Sequence, residues 1–229
     1  MLSECEGSEV LQDTISCVPE VMKRLQEEEK KAVNSLSTAL VAYENFKQLP
    51  AYTFPSNVRL LKRFLGQGSF GSTFRLRDPE TGKMAVVKTA HGREQDNLGD
   101  LLLLKHEADV LLTLEHSNIM KCFGVCPPML GVFLEYCDGT VEHLLYSKEP
   151  LWVNLKSKLM NEWGMRLELL KSMTSAAAFL QSKSIVSNDF RRDNWFLKQQ
   201  DGRWIVKLGD FGHAARLLQG IRVHNAIEW

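Results

Sequence analysis

The chain has 229 residues, 44% of them hydrophobic and 24% charged, a balance that excludes wholesale disorder and allows one full domain plus an extension, or two small domains. Lys+Arg and Asp+Glu both number 28, so no positive surplus is left to hold a nucleic-acid backbone, and no nucleic-acid partner is expected. The five scattered cysteines (Cys5, Cys17, Cys122, Cys126 and Cys137) make a poor disulfide framework, which favours a reducing compartment and an expected cytoplasmic location.

The first ten residues are acidic where a secretion signal is basic, and no apolar core follows, so no leader is expected. Residues 9 to about 48 predict helix. Val33, Leu36, Leu40 and Tyr43 recur at steps of three and four and form one apolar stripe. The stripe packs either on its own domain or on a helical partner. The acidic and basic run Glu27 to Lys31 reads as a solvated face, and Pro50 ends the helix.

After Pro55 the texture changes to short alternating segments. Arg59 to Leu65, Gly71 to Arg77 and Met84 to Thr89 predict three strands, with a turn at Asp78 to Gly82 between the second and third. Asp96 to Leu114 predicts a helix. Its apolar run is broken by Asp100, Lys105, His106, Glu107 and Asp109, so it is too charged to span a bilayer, and no membrane partner is expected. Cys122 to Val125 and Gly131 to Glu135 predict two more strands. Arg166 to Ser182 predicts a helix, and Trp195–Lys198 and Trp204–Leu208 predict a hairpin turning at Gln200-Asp201-Gly202.

Four motifs carry chemistry. Gly66, Gly68 and Gly71 lie between two strands, where glycines let backbone N–H groups approach phosphates; a strand following the loop disfavours a dinucleotide fold. Lys88 ends the third strand, and Glu107 in the next helix is placed to pair with it and hold its ammonium against phosphates. Asp189 and Asn194 sit five residues apart, and Asp210-Phe211-Gly212 follows. Phosphoryl transfer needs metal to neutralise charge and a carboxylate to orient the incoming hydroxyl; Asn194 and Asp210 suit the first role, Asp189 the second.

In this order and spacing, the four motifs resemble the eukaryotic protein kinase family, from about Leu60 to the end of the chain. Leu114 to Ile119 resembles the loop after kinase helix αC, and Val132 to Cys137 the strand that runs into the hinge. The resemblance implies an α+β fold with a five-stranded N-lobe, helix αC and an incomplete, mainly helical C-lobe. Residues 1–54 would be a helical extension and 55–229 a partial kinase domain, divided into lobes at 135/136. It also implies ATP and Mg2+ as cofactors and a protein substrate. Gly66, Gly68 and Gly71 would cover the phosphates. Ala85 and Phe196 would sandwich the adenine, with Leu134 as gatekeeper and backbone groups of Glu135 and Cys137 bonding the ring. Asp189 would be the base, Lys88 and Glu107 the ion pair, Asn194 and Asp210 the metal ligands. Arg191 stands where many kinases carry a γ-phosphate lysine, and keeps the charge with a different geometry.

The chain departs from the family where Ser187-Asn188-Asp189 replaces the usual His-Arg-Asp. A serine should loosen the core of Leu111, Cys122 and Phe211. Asn188 cannot bind an activation-loop phosphate, so switching by loop phosphorylation is not expected. Thr73 stands in place of a valine above the adenine. After Gly212 too little chain remains for the rest of the large lobe, which predicts a fragment or a lobe completed by another molecule, with apolar faces of the Arg166–Ser182 helix meeting water. Two functions follow: ATP-dependent phosphoryl transfer to a protein hydroxyl, serine or threonine preferred, or an ATP-binding module without catalysis.

Overall fold

A computed structural model describes residues 37–52, 61–68, 71–78, 81–90 and 97–217, with scattered helical positions between 23 and 34. The chain divides into two units, Met1–Glu44 and Asn45–Trp229. In the first unit, residues 37–44 form helix α1. Leu40 of the expected stripe is exposed, as is Val41. Val33 and Leu36 lie outside the described residues.

The second unit is built on a five-stranded antiparallel sheet in the order β1-β2-β3-β5-β4. Its strands are β1 (Leu61–Gly68), β2 (Gly71–Arg77), β3 (Met84–Thr89), β4 (Cys122–Cys126) and β5 (Gly131–Glu135). The expected first strand stopped at Leu65. The observed strand runs on through the glycine-rich stretch, because Gly66, Gln67 and Gly68 pair with Thr73, Ser72 and Gly71. The phosphate-loop candidate is therefore the end of a hairpin, and Ser69 and Phe70, like Arg59 and Leu60, fall outside the described residues.

Successive residues of a strand face opposite sides. On one side of the sheet Leu76, Ala85, Val87 and Phe133 form a buried core, with Tyr52, Phe74, Phe123 and Cys126 packed against it. A short segment before the sheet completes this side. The Val125 N–H donates to the Pro50 carbonyl and the Tyr52 N–H to the Val125 carbonyl, each at 2.9 Å. The Tyr52 ring centroid lies 5.3 Å from those of both Phe123 and Phe133. Gly124 makes the approach feasible. Its φ is +140°, and a Cβ there would lie 2.4 Å from the Pro50 carbonyl oxygen.

Helix α2 (Asn97–Leu111) packs on β4 and β5. Beyond the sheet come α3 (Val141–Tyr146), α4 (Pro150–Asn161) and α5 (Trp163–Ser182). Neither α3 nor α4 was expected from sequence. Helix α3 is one short stretch closed by a capping box between Thr140 and His143. Helix α4 starts with Pro150 in its first turn and buries Trp152, Leu155 and Leu159. On α5, Ala176 and Leu180 are buried while Trp163, Leu167 and Leu170 stay exposed on the opposite side.

A three-stranded sheet follows, β6 (Gly139–Thr140), β8 (Trp195–Gln200) and β9 (Arg203–Leu208), in the order β6-β8-β9. The hairpin turns at Asp201-Gly202, both at positive φ, the backbone that suits a two-residue turn. Two short strands, β7 (Ile185–Val186) and β10 (Ala215–Arg216), pair with each other. The two larger sheets are tied by the loop after α2: the Met120 N–H bonds the Leu208 carbonyl at 2.8 Å, and the Leu208 N–H bonds that of Asn118 at 2.9 Å. The buried Asn118 amide adds a 2.9 Å bond to the Val206 carbonyl. Among the described residues, no helix is long and apolar enough to cross a membrane.

Gly124→Ala combines a strained φ with a clash against backbone, so we expect a loss of about 2 kcal/mol or more. Thermal unfolding should show the midpoint several degrees lower; an unchanged midpoint would mean that the Pro50–Tyr52 segment is not docked as described.

Candidate functional site

A cleft of about 710 Å³ opens between the glycine hairpin and the loop that precedes β8. Gly68, Gly71, Thr73, Val86 and Lys88 line one wall, from β1, β2 and β3. Met120 and Leu134 line the rear, and Asp189, Arg191, Asn194, Phe196 and Asp210 the other wall. Gly71 is needed for local geometry, since a Cβ there would lie 2.0 Å from the Thr89 carbonyl oxygen. At Gly66 and Gly68 a Cβ would meet nothing within 4 Å, so open space lies over these two residues.

The charged centre is assembled from three separate elements. Lys88 reaches from β3 to Glu107 on α2, with Nζ 2.7 Å from Oε2, and to Asp210, with Nζ 3.3 Å from Oδ1. Glu107 is only 2% exposed. Burial alone would drive the proton off Lys88, but the Glu107 and Asp210 carboxylates outweigh it and hold its pKa above the usual lysine value. The ammonium therefore stays charged. Asp210 sits at φ +57°, and Phe211 behind it is fully buried.

On the facing loop, the Asn194 amide donates to the Asp189 carbonyl at 3.0 Å and to its Oδ2 at 2.7 Å. The amide oxygen of Asn194 is left as its remaining acceptor. Arg191 Nε lies 2.8 Å from Asp189 Oδ1, so both carboxylate oxygens of the candidate base are engaged. Arg191 is 64% exposed, which makes it the looser of the two partners.

The cleft thus gathers Gly68, Gly71, Lys88, Glu107, Leu134, Asp189, Arg191, Asn194, Phe196 and Asp210. Four other expected residues stand outside its lining: Gly66, Ala85, Glu135 and Cys137. Ala85 is a correction. It lies in the core on the far side of the sheet, because it is three residues from Lys88 and a strand alternates faces. Val86, two residues from Lys88, takes the cleft position. Counting parity back from Lys88 would have identified it. Glu135 has its N–H spent on the Lys121 carbonyl at 2.9 Å, so that donor is not available to a ring. Its side chain turns to Lys198 Nζ at 2.6 Å and Lys207 Nζ at 3.0 Å. Burial pushes the Cys137 thiol up to about 12, so it stays protonated. Met120, Asn188, Asp193 and His213 also line the cleft and were not singled out for it; Met120 has no sequence signal, since its place follows from the bond to Leu208.

The expected loosening around Ser187 does not show in burial. Leu111, Cys122 and Phe211 are all buried, and Ser187 itself is fully enclosed. The Ser187 hydroxyl finds no hydrogen-bond partner among the described residues.

The residues present fit a nucleotide with a hard divalent ion. The cleft has the size of a small-molecule site. Asp210 and Asn194 offer a carboxylate and an amide oxygen, the donor type magnesium takes. Among the described residues, no three His, Cys, Asp or Glu side chains are grouped closely enough to hold a metal ion by themselves, so an ion here would draw most of its ligands from phosphate and water.

Residues 60–227 match the family described as "Protein kinase domain". The human dual specificity testis-specific protein kinase 1 is 29% identical over 156 residues, covering 67% of this chain and 22% of that protein. The Caenorhabditis briggsae spermatocyte protein spe-8 is 28% identical over 221 residues, 83% of this chain and 38% of that protein. The human serine/threonine-protein kinase 10 is 25% identical over 171 residues, 73% of this chain and 16% of that protein. The chain therefore spans about a fifth of the length of the first of these relatives.

Burial pushes the Glu135 carboxyl up, but Lys198 and Lys207 outweigh it and hold its pKa below the usual value. As pH falls, the unfolded chain takes up the proton first, so the folded state loses this stabilisation. The contribution of Glu135 is complete above the ordinary glutamate pKa of about 4.5 and is lost as pH falls through the depressed folded value. The gap in unfolding midpoint between the wild type and Glu135→Gln should shrink across that window. A gap that does not change with pH would contradict the ion cluster.

Proposed function

Because the chain belongs to the protein kinase domain family, we propose that it binds ATP with a divalent ion in this cleft and transfers the terminal phosphoryl group to a protein hydroxyl. Family membership implies ATP and divalent metal in general; magnesium is the finer proposal, supported by the oxygen donors Asp210 and Asn194. The observation that carries the reading is the convergence of Lys88, Glu107, Asp189, Asn194 and Asp210 on one cleft from β3, α2 and two loops.

The residues divide the work by charge and position. Lys88, kept cationic by two carboxylates, binds the triphosphate and offsets its charge. Glu107 fixes the direction of the lysine side chain. Val86, Leu134 and Phe196 supply apolar wall for a flat ring. A divalent ion held by Asp210 and Asn194 would neutralise charge on the phosphates. Asp189 accepts the proton of the incoming hydroxyl through Oδ1 once Arg191 moves from it to the phosphates; Asn194 holds the other oxygen in place. Serine or threonine is the proposed acceptor, supported by likeness to a protein named as a serine/threonine kinase. The expected boundary at 54/55 is moved in this proposal to 44/45, so that residues 45–52 belong to the kinase unit and residues 1–44 to the extension. The described cysteines are all free, which supports a cytoplasmic location.

One observation favours a second reading, an ATP-binding module without turnover: both oxygens of Asp189 are already occupied within the chain. Radiolabelled ATP separates the two. For an enzyme, Asp189→Asn should lower phosphate incorporation about 100-fold or more while leaving the thermal shift with Mg-ATP intact. Equal background in both proteins, with the shift retained, would select the module. Absence of any shift with Mg-ATP in the wild type would overturn the assignment of the cleft.

A further inference from the structure

The segment that follows Asp210-Phe211-Gly212 is held in an unusual way. Two consecutive backbone carbonyls are taken by side chains from two separate elements. The Asn188 amide, on the loop before Asp189, donates to the His213 carbonyl at 3.1 Å. His106, on α2 beside Glu107, places Nε2 2.7 Å from the Ala214 carbonyl oxygen. A carbonyl only accepts, so Nε2 carries the proton and His106 is the donor. Ala214 is buried at this point of contact. The next residues are secured by backbone pairing, Ala215 with Val186 and Arg216 with Ile185, and by the Leu217 N–H on the Ser184 carbonyl at 2.8 Å.

A phosphate on this stretch is not an alternative source of order. From His213 to Trp229 the sequence has no serine, threonine or tyrosine, so these residues offer no hydroxyl to phosphorylate. Asn188 also occupies the position where the family arginine would read such a phosphate. Its own φ of +59° is one that asparagine tolerates and most side chains do not.

We propose that Asn188 and His106 form a two-point clamp on the His213 and Ala214 carbonyls, which holds Asp210 at Lys88 without any phosphate on the segment. Both are positioning residues. His106 acts on the same helix that carries Glu107, so the clamp links the two carboxylate partners of Lys88 through four bonds: Glu107 and Asp210 to the ammonium, and His106 and Asn188 to the segment two to three residues past Gly212's phenylalanine neighbour. The consequence for nucleotide binding rests on the kinase reading above; the consequence for the segment does not.

Amide hydrogen exchange on the full chain tests the clamp directly. His106→Ala and Asn188→Gly, the glycine chosen to keep the positive φ, should each speed exchange at residues 211–217 about ten-fold or more, with β8 and β9 unchanged. His106→Gln, which retains a donor, should recover most of the protection. Unchanged exchange in both deletions would overturn the proposal, as would a loss of protection after phosphatase treatment of the wild type. ATP affinity measured with Mg2+ and with EDTA then reads the link to Asp210. His106→Ala, which lies outside the cleft lining, should lose the gain that Mg2+ confers and keep the metal-free affinity. Equal losses under both conditions would sink the link. A wild type that binds no nucleotide under either condition would count against the kinase reading, while the exchange result would still decide the clamp.

Discussion

The ion pair between Lys88 and Glu107 is the contact on which the rest of the site depends. A carboxylate that is 2% exposed is costly to keep ionised, and an isolated one would take up a proton. The ammonium 2.7 Å away offsets that cost, although burial still holds the Glu107 carboxyl above its usual pKa. The backbone of Lys88 is anchored in the middle of the sheet, with Thr73 and Val132 as its strand neighbours, so its side chain reaches the cleft from a fixed point. Helix α2 must then dock with Glu107 facing inward. Asp210 shares the same ammonium, and so the segment after β9 is drawn to the same point. One buried charge thereby fixes the relative positions of a strand, a helix and a loop.

The surrounding structure serves this arrangement in two ways. Close packing brings the elements near enough. Gly209 is an example, since a Cβ there would lie 2.8 Å from the Phe196 ring, which walls the cleft one residue before Asp210. Backbone ties then set the register between the two larger sheets. The bonds of Asn118 and Met120 to Val206 and Leu208 are made at the strand that leads directly to Asp210. An error of one residue there would turn Asp210 away from Lys88.

How much of this the sequence disclosed follows from the range of the interactions. Strand β3 was legible to the residue, because its alternation and its flanking turn are local. The glycine hairpin, Lys88, Glu107, Asp189, Asn194 and Asp210 were legible as motifs, since their spacing reflects chemistry rather than packing. Ala85 was misplaced for want of a parity count along the same strand. Helix α3 was missed because it is a single capped turn and a half, and α4 because its buried residues lie among lysines and asparagines that blur the stripe. Pro50 marked the end of a helix, but the docking of Pro50–Tyr52 on the sheet gave no signal. Its place depends on Gly124, more than 70 residues later. The carbonyl bonds of His106 and Asn188 were equally silent, because a backbone acceptor leaves no mark on the letters.

The central claim is that Lys88 is required because Glu107 is buried, and equilibrium unfolding of three variants tests it most directly. Lys88→Met strands a buried carboxylate and should cost about 3 kcal/mol or more. Adding Glu107→Leu removes the stranded group, so the double variant should be more stable than Lys88→Met alone, with a coupling on the order of 1–3 kcal/mol. If Glu107→Leu instead lowers the stability of Lys88→Met further, by as much as it lowers the wild type, the two side chains are independent and the account is wrong.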